Sequence, residues 1–270
     1  MVSSLDFCLH NFGWLIKPPV SFSGLDQSVL SLHDKGLDFA GKKKIALVLH
    51  GVACTWAFVL KIHNDLSRSQ IYDEIYMVAY DWRNSIEENA DLLNKLIARL
   101  NPKSVDLHGY SMGGLVSRLA SEISNDKLIT HLFTYSSPHL GTPLARWGNS
   151  MTIWFASKLV SAIGSWQCDG VRDLVPESSI IKKLGEPKPG VNYIFVAGNA
   201  GYKFLSGITQ PWFYEPNDGI ASVDSQLGGK LESVHRIIAD DWDHFAVFNG
   251  IRPYVLQKEK KKRVLVLRES

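Results

Sequence analysis

Apolar runs of strand length alternate with amphipathic stretches along the chain from residue 45 onward. The apolar runs are continuous rather than alternating, which is typical of strands in a parallel sheet that is covered on both faces. They predict strands at residues 45–49, 75–80, 104–107, 131–135, 191–197 and 234–238. Strands that alternate with helices in this way predict an α/β fold with a mostly parallel, doubly wound sheet.

The clearest of the intervening helices is predicted at residues 86–100. Its apolar side chains recur at intervals of three and four positions and so form one stripe. The residues of this stripe are Leu92, Leu93, Leu96, Ile97 and Leu100. Asn101 and Pro102 are typical of a helix end. Another helix is predicted to begin near Thr55 and Trp56, after the first strand.

The alternation of strands and helices stops between residues 143 and 189. This stretch is too long for a simple crossover connection and is rich in large apolar side chains. They are Trp147, Met151, Ile153, Trp154, Phe155, Leu159, Val160, Ile163 and Trp166. The pattern predicts a helical cap, or lid, inserted into the domain. The alternative is an ordinary pair of large helices that face the core.

The length of 270 residues fits one α/β domain spanning the whole chain. Residues 1–40 are predicted to be an N-terminal extension of this domain. Their apolar side chains, among them Phe7, Phe12 and Trp14, either pack on the domain or form an anchor at a lipid interface. Packing is the favoured interpretation, because exposed aromatic side chains lower solubility.

The charge balance and the cysteines exclude several classes of protein. Lys and Arg number 29 against 27 acidic residues, a balance without a nucleic-acid-binding signature. Cys8, Cys54 and Cys168 show no metal-ligand spacing, and their odd number favours free thiols in a reducing compartment. No apolar run reaches the length of a transmembrane helix, and no Lys or Arg precedes Lys17. We therefore expect a cytoplasmic protein, or one exported without a cleavable Sec signal.

The segment 107–114 combines the end of a predicted strand, the motif Gly109-x-Ser111-x-Gly113 and the start of a predicted helix. A serine in so sharp a turn has a strained backbone, and the flanking glycines leave room for the crossing chain. The turn lifts the hydroxyl out of the sheet and places the first amides of the helix around it. A short motif of this kind also arises by coincidence, but its position between strand and helix predicts a nucleophile at Ser111.

A serine nucleophile needs a histidine that takes its proton, and an acid that fixes the tautomer of that histidine. In an architecture of this kind the acid and then the histidine follow on loops after later strands. Asp218 lies in the turn-forming sequence 217–219, and His244 follows the last predicted strand, so these two are the best-placed candidates. The alternatives are Asp224, Asp240 and Asp243 for the acid, and His108, His139 and His235 for the base.

At these residues the chain resembles an α/β-hydrolase, in particular the bacterial triacylglycerol lipases. The resemblance spans residues 45–250 and depends on four ordered landmarks. They are His50-Gly51, Gly109-Tyr110-Ser111-Met112-Gly113-Gly114, Asn217-Asp218-Gly219-Ile220 and Asp243-His244. It implies an α/β-hydrolase fold with Ser111 as nucleophile, Asp218 as acid and His244 as base. It also implies an oxyanion hole formed by the backbone amides of Val52 and Met112.

Two features differ from those lipases. Secreted members carry a signal peptide that this sequence does not show, and Ala246 occupies the position where they have a calcium-ligating Asp. We therefore predict no metal and no cofactor. Two further segments, at residues 80–83 and 137–143, are similar to segments of lipid acyl hydrolases and acyltransferases. We expect both to be scaffolding, with Asp81 and Arg83 ordering a loop.

The residues and the resemblance together predict a serine hydrolase that cleaves carboxylic esters of hydrophobic acyl groups through an acyl-enzyme. Trp154, Phe155 and Leu159 of the cap are the predicted substrate-binding residues, since burial of an acyl chain contributes ~0.8 kcal/mol per methylene. The expected partner is a lipid or another hydrophobic ester, with contact at a lipid interface and no nucleic acid. The alternatives are an acyltransferase or thioesterase with the same three residues, and a non-catalytic lipid-binding protein.

Overall fold

The computed structural model describes residues 38–52, 54, 56–147, 168–201, 213 and 215–251. Within them six strands form one sheet. They are β1 (Lys44–Leu49), β2 (Glu74–Val78), β3 (Ser104–Tyr110), β4 (Ile129–Tyr135), β5 (Asn192–Gly198) and β6 (Val234–Ala239). Their order is β2-β1-β3-β4-β5-β6, and each neighbouring pair is parallel. The predicted parallel, doubly wound sheet is confirmed.

Strand β3 extends beyond the sequence prediction, which ended at residue 107. The strand continues through His108 and Gly109 to Tyr110, which pairs with Tyr135 of β4. A glycine and a polar histidine weaken the local strand pattern, but neighbouring strands on both sides supply the ladder hydrogen bonds. The neighbours of β3 therefore determine where the strand ends.

The helices lie in two layers, one on each face of the sheet. On one face are α2 (Ile86–Leu100) and α3 (Met112–Ile123), which bury their apolar residues in a large core cluster. On the other face are a 3-10 turn (Trp56–Val59), α1 (Leu60–Ser69) and a 3-10 turn (Ala246–Asn249). The helix predicted at residues 86–100 is confirmed at both ends. Ser85 begins it with a capping box, in which its hydroxyl accepts from the backbone of Glu88.

The sheet order places a topological switch point between β1 and β3. From β1 the chain first adds β2 on one side and then returns to add β3 on the other. The loops that follow β1 and β3 therefore diverge from neighbouring strand ends and leave a crevice at the carboxyl edge of the sheet. Such crevices are the usual binding sites of open α/β sheets. The predicted nucleophile follows β3 and thus lies at this crevice.

The range of the predicted cap, residues 143–189, is described at its two ends. It begins with a 3-10 turn (Pro143–Trp147) and ends with two short helices, α4 (Asp169–Arg172) and α5 (Ser179–Lys183). Ile180 is buried in the same core cluster as α2, and the Asp173 carboxylate accepts a hydrogen bond from the Ile86 amide. These ends thus pack on the main body of the domain.

Other sequence predictions fall outside the described residues. Residues 148–167 include the predicted cap side chains Trp154, Phe155 and Leu159, and residues 1–37 form most of the predicted N-terminal extension. Among the helices that the structure describes, none is long and apolar enough to cross a membrane. Cys54 and Cys168 are free thiols, in agreement with their predicted state.

Candidate active site

Ser111 occupies a strained turn between β3 and α3. Its backbone has φ +53° and ψ −124°, a conformation that residues other than glycine rarely adopt. The amide of Ser111 donates to the carbonyl of Tyr135 at 2.9 Å, which ties the turn to the end of β4. Met112 begins α3 directly afterwards. The sharp strand-turn-helix unit predicted from the sequence is present, and strain at one buried serine is typical of a functional position.

The glycines of the motif allow backbone segments to approach each other closely. A Cβ at Gly109 would lie 2.4 Å from the Cα of Gly114, and a Cβ at Gly113 would lie 2.4 Å from the carbonyl oxygen of His50. Both distances are far below a van der Waals contact with backbone atoms that cannot move aside. The two glycines are therefore required for the helix to start this close to β1 and β3.

His244 bridges Ser111 and Asp218. Its Nε2 lies 3.1 Å from the Ser111 Oγ, and its Nδ1 lies 2.7 Å from the Asp218 Oδ2. The side chains are nearly sealed from solvent, since the exposed fractions are 7% for Ser111, 4% for His244 and 0% for Asp218. A carboxylate at Nδ1 holds the proton there, so Nε2 is left free to accept the proton of the hydroxyl. The structure thus brings together the three residues that the sequence selected.

The carboxylate of Asp218 is held through both of its oxygens. While Oδ2 faces His244, Oδ1 accepts hydrogen bonds from the amides of Ile220 at 2.9 Å and Ala221 at 2.8 Å. The backbone carbonyl of Asp218 also accepts from the amide of His244 at 2.9 Å. These contacts fix both the rotamer of the carboxylate and its distance from the imidazole.

The alternative histidines have other surroundings. His108 lies on β3 between two phenol groups, with Nε2 at 3.0 Å from the Tyr72 hydroxyl and Nδ1 at 3.0 Å from the Tyr135 hydroxyl. Burial lowers the pKa of His108 to about 3. His139 pairs with a threonine hydroxyl of β4 and stacks on an aromatic ring of β5. His235 lies on the edge strand β6 with its side chain exposed.

The alternative acids have surroundings that differ from those of Asp218. Asp224 and Asp240 are exposed, and Asp240 accepts a hydrogen bond from the side chain of Asn199. Asp243 caps the turn that follows it, because its Oδ1 accepts from the amide of Phe245 at 3.0 Å. The tertiary arrangement therefore favours Asp218 over the other candidate acids as the partner of His244.

The two segments that carry the predicted oxyanion amides meet at Ser111. Val52 follows β1, and Met112 is the first residue of α3. Gly51 directly precedes Val52, and a Cβ at Gly51 would stand 2.8 Å from the Cβ of Ser111. The loop after β1 thus runs directly against the serine, and a side chain at position 51 would fill the space beside the hydroxyl.

His50 and Tyr80 hold this loop, a role that the sequence did not reveal. The Nδ1 of His50 donates to the Gly51 carbonyl at 2.9 Å, and its Nε2 accepts from the Tyr80 amide at 3.4 Å. The Tyr80 hydroxyl donates to the His50 carbonyl at 2.6 Å, and the two rings stack with centroids 4.4 Å apart. Burial lowers the pKa of His50 to about 4, so the ring is neutral at physiological pH.

The two predicted scaffolding segments order loops around the site. Arg83 donates to both carboxylate oxygens of Asp81, with its Nη2 at 2.6 Å from Oδ2. In the segment 137–143, the hydroxyl of Thr142 donates to the Ile220 carbonyl. The second segment is therefore bonded to the turn that carries Asp218, and the loops after β4 and β5 form one connected unit.

Among the residues that the structure describes, no three His, Cys, Asp or Glu side chains are placed to hold a metal ion together. Ala246, two residues beyond His244, lies in the 3-10 turn Ala246–Asn249. Its methyl group offers no ligand at the position where the resemblance would require a carboxylate. The independence from metal remains a prediction.

Comparison with known proteins agrees with this architecture. A family model described as a PGAP1-like alpha/beta domain matches residues 75–156, which contain the turn at Ser111. The structure is similar to the mature lipase BlEst2 of Bacillus licheniformis, with a TM-score of 0.64 and 19% identity over 83% of this chain and 93% of that one. It is also similar to a Staphylococcus hyicus lipase, with a TM-score of 0.53 and 17% identity over 81% and 97% of the two chains.

A third similar structure is the phospholipase PlaB of Legionella pneumophila, with a TM-score of 0.52 and 16% identity over 68% of this chain and 45% of that one. No curated protein sequence matches the chain significantly. At such identities the likeness is one of fold, and activity must be argued from the site itself. The chain has the α/β-hydrolase fold, which it shares with lipases, phospholipases and esterases, as the motif resemblance implied.

Proposed function

We propose that this protein is a serine hydrolase that cleaves carboxylic esters of hydrophobic acyl groups through an acyl-enzyme. The observation that carries the proposal is the buried hydrogen-bonded chain from Asp218 through His244 to Ser111. A binding protein would gain nothing from a serine in a strained turn with a histidine at its hydroxyl. Nucleophilic catalysis, in contrast, needs a hydroxyl, a base and an orienting acid in this order.

The first half of the reaction transfers the acyl group to the enzyme. The Oγ of Ser111 attacks the ester carbonyl while the Nε2 of His244 takes the hydroxyl proton. The negative charge that develops on the carbonyl oxygen is held by the amides of Val52 and Met112, each of which contributes ~3 kcal/mol to stabilisation of the transition state. His244 then returns the proton to the leaving alcohol, and the ester C–O bond breaks.

The second half releases the acyl group as a carboxylic acid. Water takes the place of the alcohol and loses a proton to His244 as it attacks the acyl carbonyl. Collapse of this intermediate breaks the bond to Ser111, whose oxygen recovers the proton from His244. Asp218 keeps its negative charge throughout and stabilises the imidazolium at each half-reaction.

A lipid or other hydrophobic ester is the substrate class that we propose. Structural neighbours named as lipases and a phospholipase support this choice. So does the excess of large apolar residues within the predicted cap, with Trp154, Phe155 and Leu159 proposed to contact the acyl chain. Contact with a lipid interface would follow, because substrates of this class are presented in membranes or micelles.

A fluorophosphonate probe tests the proposal, because it labels serines that a neighbouring base has activated. We expect the wild-type protein to be labelled and Ser111→Ala to remain unlabelled. A panel of p-nitrophenyl esters from acetate to palmitate, run beside phospholipids and acyl thioesters, then defines the substrate. Absence both of labelling and of hydrolysis would contradict the proposal. Faster transfer to an added alcohol than to water would identify an acyltransferase instead.

A further inference from the structure

Gln226 is a fully buried amide whose side chain forms three hydrogen bonds, all to the backbone. It is the last residue of α6 (Val223–Gln226). Its Oε1 accepts from the amide of Gly198 at 2.8 Å, and its Nε2 donates to the carbonyls of Gly198 at 3.2 Å and Ala221 at 3.0 Å. One side chain therefore connects the end of β5 to the turn that begins at Asp218.

Both backbone partners of Gln226 lie directly against Asp218. The amide of Ala221 donates to the Asp218 Oδ1 at 2.8 Å, and its carbonyl accepts from the Asp218 amide at 3.1 Å. At Gly198, a Cβ would stand 3.1 Å from the Cβ of Asp218. The residues that Gln226 holds are thus the same ones that determine where the carboxylate of Asp218 points.

We propose that Gln226 is a positioning residue for Asp218. By fixing Ala221 and Gly198 relative to each other, it keeps Asp218 Oδ2 within hydrogen-bond distance of His244 Nδ1. It acts through the backbone, because its three side-chain hydrogen bonds all go to backbone groups. This inference rests on the proposed function where kinetics are concerned, but the arrangement of Asp218 and His244 can be measured without any substrate.

The primary amide is suited to this position because it offers one acceptor and two donors. A leucine of similar size would leave the amide and the carbonyl of Gly198 without these partners, which is costly for buried groups. The Ala221 carbonyl would keep only its hydrogen bond from the Asp218 amide. A glutamate could still accept from Gly198. Its second oxygen could donate to a carbonyl only while protonated, and when ionised it would repel the carbonyls of Gly198 and Ala221.

The first experiment compares Gln226→Leu with Tyr193→Phe as a matched control. Tyr193 lies on the same strand β5, is fully buried and loses two hydrogen bonds on substitution, to the Ser121 hydroxyl and the Lys188 amide. We expect both variants to have lower melting temperatures. Gln226→Leu should in addition lower kcat by about 10- to 100-fold with little change in KM, as expected for misplacement of a catalytic group.

The second variant, Gln226→Glu, gives a pH signature that a purely structural role would not produce. The ratio of its kcat to that of the wild type should fall as the pH rises, because ionisation of the new carboxyl removes its donor. The measurement is made below the melting temperature of the variant at every pH. This variant also keeps the proposal testable if Gln226→Leu fails to fold.

The third measurement does not depend on activity. The proton on His244 Nδ1, hydrogen-bonded to Asp218, gives a strongly deshielded NMR signal that is assigned by its loss in His244→Asn. We expect the signal in the wild type and in Tyr193→Phe, and its broadening by exchange in Gln226→Leu. An unchanged signal, or a kcat equal to that of Tyr193→Phe, would overturn the role of Gln226. Absence of fluorophosphonate labelling in the wild type would instead contradict the proposed function.

Discussion

The Nε2 atom of His244 lies 3.1 Å from the Oγ atom of Ser111, although 133 residues separate the two in the chain. Ser111 follows β3, and His244 lies on the loop after β6. All six strands of the described sheet are parallel, so their carboxyl ends share one edge and the loops after them can meet there. The distance is within the range over which a base can take the proton of a nucleophile.

Replacement of Ser111 by alanine should abolish ester hydrolysis and leave the fold intact. The substitution deletes one hydroxyl, so we expect kcat to fall by about 10⁴-fold or more with an unchanged circular dichroism spectrum. Ser117→Ala, which removes a hydroxyl from α3 that bonds the Gly113 carbonyl, is the control and should keep its activity. Retention of more than a few per cent of activity in folded Ser111→Ala would rule out Ser111 as nucleophile.

Replacement of Asp218 by asparagine should lower kcat by roughly 10³- to 10⁴-fold. The amides of Ile220 and Ala221 would hold the amide oxygen in the place of Oδ1, which turns the new NH2 group toward His244. That group donates to Nδ1 and drives the proton onto Nε2, the wrong tautomer for a base. Asp224→Asn changes an exposed acid of the same region and should be nearly neutral. Equal effects of the two substitutions on kcat in steady-state assays would show that Asp218 does not orient His244.

The free energy of unfolding should decrease as the pH falls from about 6.5 to about 4, in part because His50 is buried as a neutral ring. Its pKa is about 4 in the folded state against 6.5 as the ordinary value. As the pH falls, His50 therefore takes up its proton in the unfolded chain before it does so in the folded protein. The free energy of unfolding decreases by ~3 kcal/mol over this interval. His50→Asn cannot take that proton, so its stability deficit relative to the wild type should shrink toward pH 4. Urea unfolding at several pH values measures both proteins, and a deficit that is constant with pH would disprove the effect.

Chelation should leave the activity unchanged, and so should added calcium. Ala246 provides no carboxylate beside His244, and no cluster of metal-ligating side chains occurs among the described residues. Hydrolysis rates measured before and after EDTA treatment, and again with calcium restored, provide the test. A large loss that calcium reverses would show a metal site that these residues do not reveal.

Replacement of Trp154 by alanine should reduce kcat/KM for a long-chain ester far more than for acetate. On a helix, Trp154, Phe155 and Leu159 belong to one broad apolar face, which an acetyl group is too short to reach. We expect little change in melting temperature, because the predicted role is in substrate binding. If this apolar face packed in the protein core instead, Trp154→Ala would lower the free energy of unfolding by ~3–5 kcal/mol. It would then reduce kcat/KM for both esters equally. Both esters and the thermal melt are therefore measured on one preparation.

Local sequence was sufficient for much of the architecture. The continuous apolar runs predicted all six described strands to within a few residues, and the periodic stripe predicted α2 from Ile86 to Leu100. Both signals depend on neighbours along the chain, since the side-chain period distinguishes strand from helix. The turn at Ser111 was predictable for the same reason, because its glycines and its strained serine lie within a few residues of each other.

The tertiary structure decided what depends on distant parts of the chain. Residue chemistry left several acids and bases open, and the hydrogen bonds of Asp218 and His244 separate them from the rest. The stacking of His50 on Tyr80 and the three hydrogen bonds of Gln226 have no local sequence signal. Which loops meet depends on strand order, and strand order follows from packing of the whole sheet rather than from any one segment. The sequence by itself determined the strands, the helix α2 and the sharp turn at Ser111, and only the folded sheet determined which side chains surround that turn.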